Sequence, residues 1–225
     1  MSQNTSSAVM AQRIEPHDSL DDFPTQPWAT RALLEHVVIP RVGLLRGVTA
    51  WEPACNRGHM VKPLREFFGA VHATDIHDYS DEWSGQQTIA DFLFPGSEPE
   101  SVAANGVDWI ITNPPFRLAL QFLDRAFELK PREGVAIIVR TAFLEGVARY
   151  DKLFRNNPPS VIAQFSERVP MVKGRLTATG STATAYCWLV WLSVPQADDV
   201  EFCWIPPCRK VLERPDDYPV PGSAE

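Results

Sequence analysis

The stretch Asp108-Trp109-Ile110-Ile111-Thr112-Asn113-Pro114-Pro115-Phe116 is the most informative part of the sequence about the fold. Its apolar and β-branched run, closed by two prolines, predicts a buried strand that ends at Asn113. The prolines fix φ and lack N–H donors, so the backbone carbonyl of Pro114 is held rigidly. Asn113 adds a second acceptor and Phe116 a flat face for stacking.

Short apolar runs alternate with helical patterns on both sides of this strand. Strands are predicted near residues 48–52, 70–75, 107–112, 134–140, 160–166 and 183–193, with a weak one around 88–90. Helices are predicted near residues 28–46, 60–68, 117–129 and 144–155. This alternation indicates an α/β fold with a mostly parallel, seven-stranded sheet that binds ligands at the carboxyl ends of its strands. A loop rich in Gly and Thr precedes the last strand and predicts an antiparallel hairpin at the sheet edge.

The length of 225 residues fits one α/β domain, which we place at residues 21–205. Residues 1–20 lack hydrophobic periodicity and are predicted to be disordered, and the proline-rich residues 206–225 are predicted to form an extended tail. The sequence has neither a signal-peptide pattern nor an apolar run of about 18 residues, so we expect a cytoplasmic protein without a membrane partner. The four cysteines lack disulfide or zinc spacing, and no metal is expected.

The net charge of −7 argues against a nucleic-acid partner, because neutralising phosphates dominates such binding. The charge is unevenly distributed, since residues 140–175 hold seven of the 21 basic side chains and three of the 28 acidic ones. Either this segment contacts nucleic acid or the charges cluster by chance on solvated faces.

The first predicted strand ends in Glu52 and is followed by Pro53, Ala54 and Gly58. Small residues let the backbone approach a ligand, and a carboxylate can hold a positively charged amino group. An ordinary strand-to-helix turn would look similar.

Carboxylates also end the next two strands. Asp75 lies 17 residues beyond Gly58, where adenosine-binding folds place the partner of the ribose hydroxyls. Asp91 could accept from an adenine amino group and Phe92 could cover the ring, although a loop aspartate that caps a turn explains Asp91 nearly as well.

The residues from Asn113 to Phe116 suit methyl transfer to an exocyclic amine. The lone pair of such a nitrogen is delocalised into the base, so two acceptors on its hydrogens help to localise the pair and to stabilise the positive charge that grows on it. A base paired inside a duplex must be flipped out, and Phe116 would stack on it. A plain proline turn explains neither the aromatic ring nor the upstream carboxylates.

Taken together, these motifs resemble the class I S-adenosylmethionine-dependent amino-methyltransferases, in particular the short N6-adenine DNA methyltransferases of phages, over most of residues 21–193. The resemblance implies a Rossmann-like fold, S-adenosylmethionine as cofactor and DNA as partner. Its implied catalytic residues are Asn113, Pro114, Pro115 and Phe116. Its implied cofactor residues are Thr25, Trp28, Glu52, Pro53, Ala54, Gly58, Asp75, Ile76, Asp91, Phe92 and Asn113. Asn56 stands where the family has glycine, and Asn tolerates positive φ better than other residues.

The resemblance extends to residues 141–153 and 168–175, which lie beside the expected base pocket. From it we expect nucleic-acid contacts by Arg149, Lys152, Arg155, Arg168, Lys173 and Arg175. For the first three of these, an ordinary helix surface is the alternative.

Four alternatives to the adenine DNA enzyme remain at this point: methylation of RNA adenine, of cytosine N4, of a protein glutamine, or a binding module that keeps the fold. The glutamine enzymes usually have tyrosine after the prolines and a separate substrate domain, whereas this chain has Phe116 and no room for that domain. Sequence specificity is expected to be modest or to depend on a homodimer or a partner protein.

Overall fold

Eight strands form one sheet in this computed structural model, which describes residues 21–180, 182–194 and 199–218. The strands are β1 (Thr49–Glu52), β2 (Ala70–Asp75), β3 (Thr88–Ile89), β4 (Trp109–Thr112), β5 (Gly134–Arg140), β6 (Val161–Phe165), β7 (Tyr186–Leu192) and β8 (Glu201–Ile205). The α-helices are α1 (Pro27–Leu33), α2 (Ile39–Val42), α3 (Val61–Phe67), α4 (Glu100–Asn105), α5 (Ala119–Leu129), α6 (Val147–Arg149) and α7 (Arg209–Leu212).

The strand order β3-β2-β1-β4-β5-β7-β6-β8 places a topological switch point between β1 and β4. The chain runs outward from β1 to β2 and β3 in one direction, and from β4 to β5 in the other. β1 and β4 are parallel neighbours, with Ala50 opposite Trp109 and Trp51 opposite Ile110. Since crossovers leave these strands in opposite directions, a crevice opens at their carboxyl ends, where open α/β sheets bind ligands.

The predicted mostly parallel α/β fold is confirmed, and two details of the sheet need correction. The sheet has eight strands instead of seven, because the short strand β8 pairs in parallel with β6. β7 is antiparallel as predicted, but it lies between β5 and β6, so β8 forms the edge. Glu201, Phe202 and Trp204 are exposed on β8, and this mixed pattern over five residues hides the strand in the sequence.

Residues 206–218 pack on the domain and do not form the extended tail predicted for them. Arg31 of α1 is fully buried, with an ion pair to Asp217 at 2.7 Å and another to Glu66 at 2.8 Å. It also donates to the carbonyl of Leu212 at 2.8 Å. The folded domain therefore continues past residue 205 to Tyr218, while residues 1–20 and 219–225 lie outside the described part.

The helix predicted at 28–46 is α1, a π-helical turn (Leu34–Val38) and α2 in succession. Pro40 has no N–H for the regular ladder, and the N–H of Ile39 reaches back five residues to the carbonyl of Leu34. The prediction at 144–155 corresponds to α6 and a second π-helical turn (Tyr150–Phe154). α4 and α7 were not predicted.

No helix in the described ranges is long and apolar enough to cross a membrane.

Candidate active site

A cavity of about 580 Å³ lies at the carboxyl ends of β1, β2 and β4. Its volume is within the ~300–1,000 Å³ typical of small-molecule sites. Segment 21–25 covers one side, and the turns after the three strands form the others. The predicted site residues that line it are Thr25, Pro53, Ala54, Asp75, Ile76, Asp91, Phe92, Asn113 and Pro115. The structure thus brings together residues that the sequence separates by up to 90 positions.

Trp28 and Gly58 do not line the cavity, in contrast to the expectation that they contact the cofactor. Trp28 is fully buried and packs edge-on against Phe165, with ring centroids 5.7 Å apart, so it is a core residue. Gly58 has φ of 77°, and a Cβ there would lie 2.3 Å from the ring of Trp83. The glycine makes room for that ring, a contact that the motif alone does not reveal.

Asn56 occupies the turn after β1 in the left-handed region, with φ of 49°, a conformation that asparagine tolerates better than other non-glycine residues. Its backbone N–H donates to Asp75 Oδ2 at 2.9 Å, and its side chain donates to Asp22 Oδ1 at 2.7 Å. Arg57 forms an ion pair with the same Asp22 at 3.0 Å. The asparagine therefore connects the turn to the segment that covers the cavity, which a glycine could not do.

Asp75 is buried at the end of β2 with both carboxylate oxygens engaged by backbone. Oδ1 accepts from the N–H of His77 at 3.0 Å and Oδ2 from Asn56 at 2.9 Å. Burial raises the pKa of this carboxyl above its usual value, against the lowering by these two hydrogen bonds. Each oxygen has a further lone pair, so Asp75 can still accept from ligand hydroxyls.

Glu52 is completely buried at the end of β1 and does not itself line the cavity. Its Oε1 accepts from Thr112 Oγ1 at 2.6 Å and from the N–H of Ala54 at 3.1 Å. Its Oε2 is buried with no partner among the described residues. Burial raises the pKa of Glu52 to about 8.

Asn113 has a fixed amide orientation. Its Nδ2 donates to the carbonyl of Phe23 at 2.9 Å, which leaves Oδ1 buried and without a partner in the described part of the chain. The hydroxyl of Thr25, on the same covering segment, is also buried and unpaired there. Because an unpaired buried polar atom is costly, a ligand that forms hydrogen bonds with these two atoms would be stabilised by them.

Phe92 and Asp91 follow β3 on the opposite wall. The Phe92 ring packs edge-on against Trp51 at 5.1 Å and lies 5.0 Å from Phe122. Asp91 is exposed, and its Oδ1 accepts from the N–H of Leu93 at 3.0 Å. Asp91 therefore caps a turn, as the alternative interpretation of the sequence holds, and it also lines the cavity.

Phe116 and Pro114 lie just outside the cavity lining, and Phe116 forms an aromatic cluster. Its ring centroid is 5.3 Å from that of Phe23 and 6.4 Å from that of Tyr186. The guanidinium of Arg140 lies 4.0 Å above the Phe116 ring, and the Phe116 N–H donates to the Asp21 carboxylate. Sequence reasoning missed Arg140, although its place as the last residue of a parallel strand is a signal for it.

His59 also lines the cavity and was not predicted. Burial, together with the positive charge of Arg57, lowers the pKa of His59 to about 4, so its imidazole is neutral at pH 7. A neutral imidazole offers both a donor and an acceptor to a ligand.

The basic residues predicted to contact nucleic acid fall into two groups. Gly174 donates its N–H to the Asp22 carbonyl at 2.8 Å, which brings the exposed Lys173 and Arg175 next to the covering segment. None of the six lines the cavity.

The other four lie elsewhere, three of them tied to their own surroundings. Arg149 donates to the Glu145 carbonyl at 2.9 Å, Arg155 pairs with Asp151 at 3.3 Å, and Arg168 donates to the Ala183 carbonyl at 3.0 Å. Lys152 is exposed. None of these four side chains lines the cavity.

Comparisons with known proteins give structural matches alone. No family model and no curated protein matches the sequence. A structure from Vibrio vulnificus YJ016, described as a modification subunit of a type I restriction enzyme, superimposes with a TM-score of 0.54 at 16% identity, over 88% of this chain and 50% of that one. A dimethyladenosine transferase from Plasmodium falciparum gives 0.46 at 9% identity, over 75% and 62%. The 23S rRNA methyltransferase ErmE gives 0.45 at 15% identity, over 79% and 72%.

The chain spans about half the length of the Vibrio structure. With the strand order, that superposition identifies the chain's fold as the Rossmann-like fold of class I methyltransferases.

Proposed function

We propose that this protein transfers a methyl group from S-adenosylmethionine to N6 of a flipped adenine in DNA. The observation that carries the proposal is the amide of Asn113. Its nitrogen is held by the Phe23 carbonyl at 2.9 Å, so its buried, unpaired oxygen is the atom available to an amine.

The cavity fits an S-adenosylmethionine molecule in volume, charge and unpaired atoms. Asp22, Asp75 and Asp91 give its lining an acidic character that suits a cationic ligand. The unpaired Thr25 Oγ1 suits the ammonium group of the methionine end. The positive charge of that group would favour the ionised form of Glu52, whose Oε2 is unpaired and whose pKa burial raises to about 8.

Residues of each wall have a separate role in this proposal. Asp75 accepts from the ribose hydroxyls, while Asp91 and Phe92 bind the adenine ring of the cofactor. Ile76, 57% exposed, covers the other side of that ring. When bound, the sulfonium supplies an electrophilic methyl group.

The residues after β4 bind and orient the target amine. Asn113 Oδ1 and the Pro114 carbonyl accept its two hydrogens, which localises the nitrogen lone pair and stabilises the developing positive charge. Pro114 and Pro115 keep these acceptors in place, so that nitrogen and methyl can be held in line.

Three features favour adenine in DNA as the target. Asn before two prolines and an aromatic residue resembles the adenine enzymes, Phe116 offers a stacking ring, and Lys173 and Arg175 place positive charge beside the cavity. The Vibrio neighbour is described as a modification subunit of a restriction enzyme, which agrees with a DNA substrate.

The deciding experiment incubates the protein with methyl-labelled S-adenosylmethionine and either unmethylated DNA or RNA, followed by nucleoside mass spectrometry. We expect label in N6-methyl-2′-deoxyadenosine. Label in RNA adenosine alone would show that the substrate is RNA, and label in N4-methylcytosine would show that the target base is cytosine. Label in glutamine of an added protein extract would show that the substrate is a protein. Failure of calorimetry to detect binding of S-adenosylhomocysteine would refute the enzyme and leave a binding module.

A further inference from the structure

Arg140 is the last residue of β5, and its guanidinium covers the ring on which the proposed target base must stack. Its Cζ lies 4.0 Å from the Phe116 centroid and 5.7 Å from that of Phe23. Burial raises the pKa of Tyr186, and the nearby positive charge of Arg140 acts in the opposite direction. The Arg140 side chain is exposed and makes no ion pair with a carboxylate of the described residues.

We propose that Arg140 occupies the base-stacking face of Phe116 in the free protein and transfers to a DNA phosphate when the target base enters. This inference rests on the proposed function. It makes Arg140 a positioning residue that couples binding of the DNA backbone to entry of the base.

Arg140 and a stacked base compete for the same space on Phe116. A guanidinium is flat and lies over an aromatic ring much as a base does. At 4.0 Å from the Phe116 centroid, Arg140 fills the space that a stacked base needs on that face. Base and guanidinium cannot both be there, so entry of the base displaces Arg140.

A phosphate is a stronger partner for the Arg140 guanidinium than the Phe116 ring is. An exposed cation over a ring is held weakly, because water competes for it, whereas a guanidinium binds phosphate through two parallel hydrogen bonds. A flipped nucleotide carries its own phosphates to the mouth of the pocket. The displaced guanidinium therefore has a stronger partner within reach of the strand end that holds it.

The test compares Arg140→Met, which keeps length but not charge, with Arg140→Lys, which keeps charge but not planarity. Arg46→Met is the matched control, since Arg46 is exposed and precedes β1, at the amino end of the strand and away from the cavity at its carboxyl end. Fluorescence anisotropy measures binding of an unmethylated mixed-sequence DNA duplex over a KCl series, with S-adenosylhomocysteine present. A matching RNA duplex forms a second arm.

We expect Arg140→Met to make the slope of log affinity against log salt shallower by about 0.9, the loss of one phosphate contact. KM for DNA should rise about tenfold at low salt while kcat stays within about twofold. Arg140→Lys should keep the slope, and Arg46→Met should match the wild type.

An unchanged slope in Arg140→Met, in an enzyme that methylates DNA, overturns this inference and leaves the proposed function intact. A fall in kcat at constant KM overturns it too, because it assigns Arg140 to the chemical step. If the slope changes for the RNA duplex but not for the DNA duplex, Arg140 contacts a phosphate of RNA, which contradicts the inference for DNA. If the wild type neither binds nor methylates DNA, both proposals fail.

Discussion

The side-chain amide of Asn113 donates to the backbone carbonyl of Phe23 at 2.9 Å, across 90 residues of sequence. This bond holds the NH₂ end of the amide on the covering segment, so the buried oxygen is the end left without a partner. Without it, an Asn side chain could present either its NH₂ group or its oxygen, and the former would repel an amine.

Asn113→Ala should lower kcat by about 100- to 1,000-fold, the usual cost of removing one aligned transition-state contact. Cofactor affinity should change by less than about twofold, since the proposed function assigns the Asn113 oxygen to the target amine. Single-turnover methyl transfer and calorimetry with S-adenosylhomocysteine measure the two effects. A variant that retains full turnover would remove Asn113 from the site.

Asp75→Ala should weaken binding of S-adenosylhomocysteine by about 10- to 100-fold, because hydrogen bonds to a charged acceptor are worth ~1.5–3 kcal/mol. Asp78→Ala is the control, as Asp78 lies three residues further on, is exposed and is not among the cavity residues. Equal affinities of the two variants would contradict the assignment of Asp75 to the ribose.

Stability should depend on pH through Glu52, whose pKa burial raises from 4.5 to about 8. The folded state then holds a proton that the unfolded state releases, so the free energy of unfolding falls as pH rises from about 4.5 to about 8. Glu52→Gln keeps an acceptor for Thr112 and Ala54 but cannot ionise. Urea titrations at pH 5 and pH 8.5 should show a smaller loss of stability in this variant than in the wild type. Equal losses would show that the wild-type pH dependence comes from other groups.

Asp217→Ala should reduce the free energy of unfolding by about 3–5 kcal/mol, because it leaves the buried Arg31 without one of its two carboxylates. Its neighbour Asp216 is exposed and pairs with Lys62 at the surface, so Asp216→Ala should leave stability unchanged within error. Urea denaturation measures both. A stable Asp217→Ala variant would indicate that residues 206–218 contribute little to the domain.

Local patterns in the sequence were sufficient to predict β1, β2, β4 and β5 and the polar residues that follow them. Asp75 and Asn113 line the cavity as expected, because the end of a parallel strand determines where a side chain lies. These predictions depend on short apolar runs bounded by turn residues, from which a strand and the residues after it can be recognised locally.

Contacts between distant segments were not predictable in this way. Trp28 fits a motif by position, yet its ring packs into the core, and the partner of Gly58 is the ring of Trp83, 25 residues later. Likewise nothing near Asp217 in sequence indicates that it neutralises Arg31, 186 residues away. Such pairings are set by how helices and loops dock, and no local period encodes them.

Segment 21–25, which covers the cavity, contacts both sides of the cavity. Asp22 accepts from Asn56 on the side proposed for the cofactor, and the next residue, Phe23, accepts from Asn113 on the side proposed for the target. When the first ligand binds, this short segment loses conformational entropy. The second ligand then binds to a segment that is already ordered and does not pay that entropic cost again. We therefore expect heterotropic cooperativity, with each ligand tightening the binding of the other and the same coupling free energy measured from either direction.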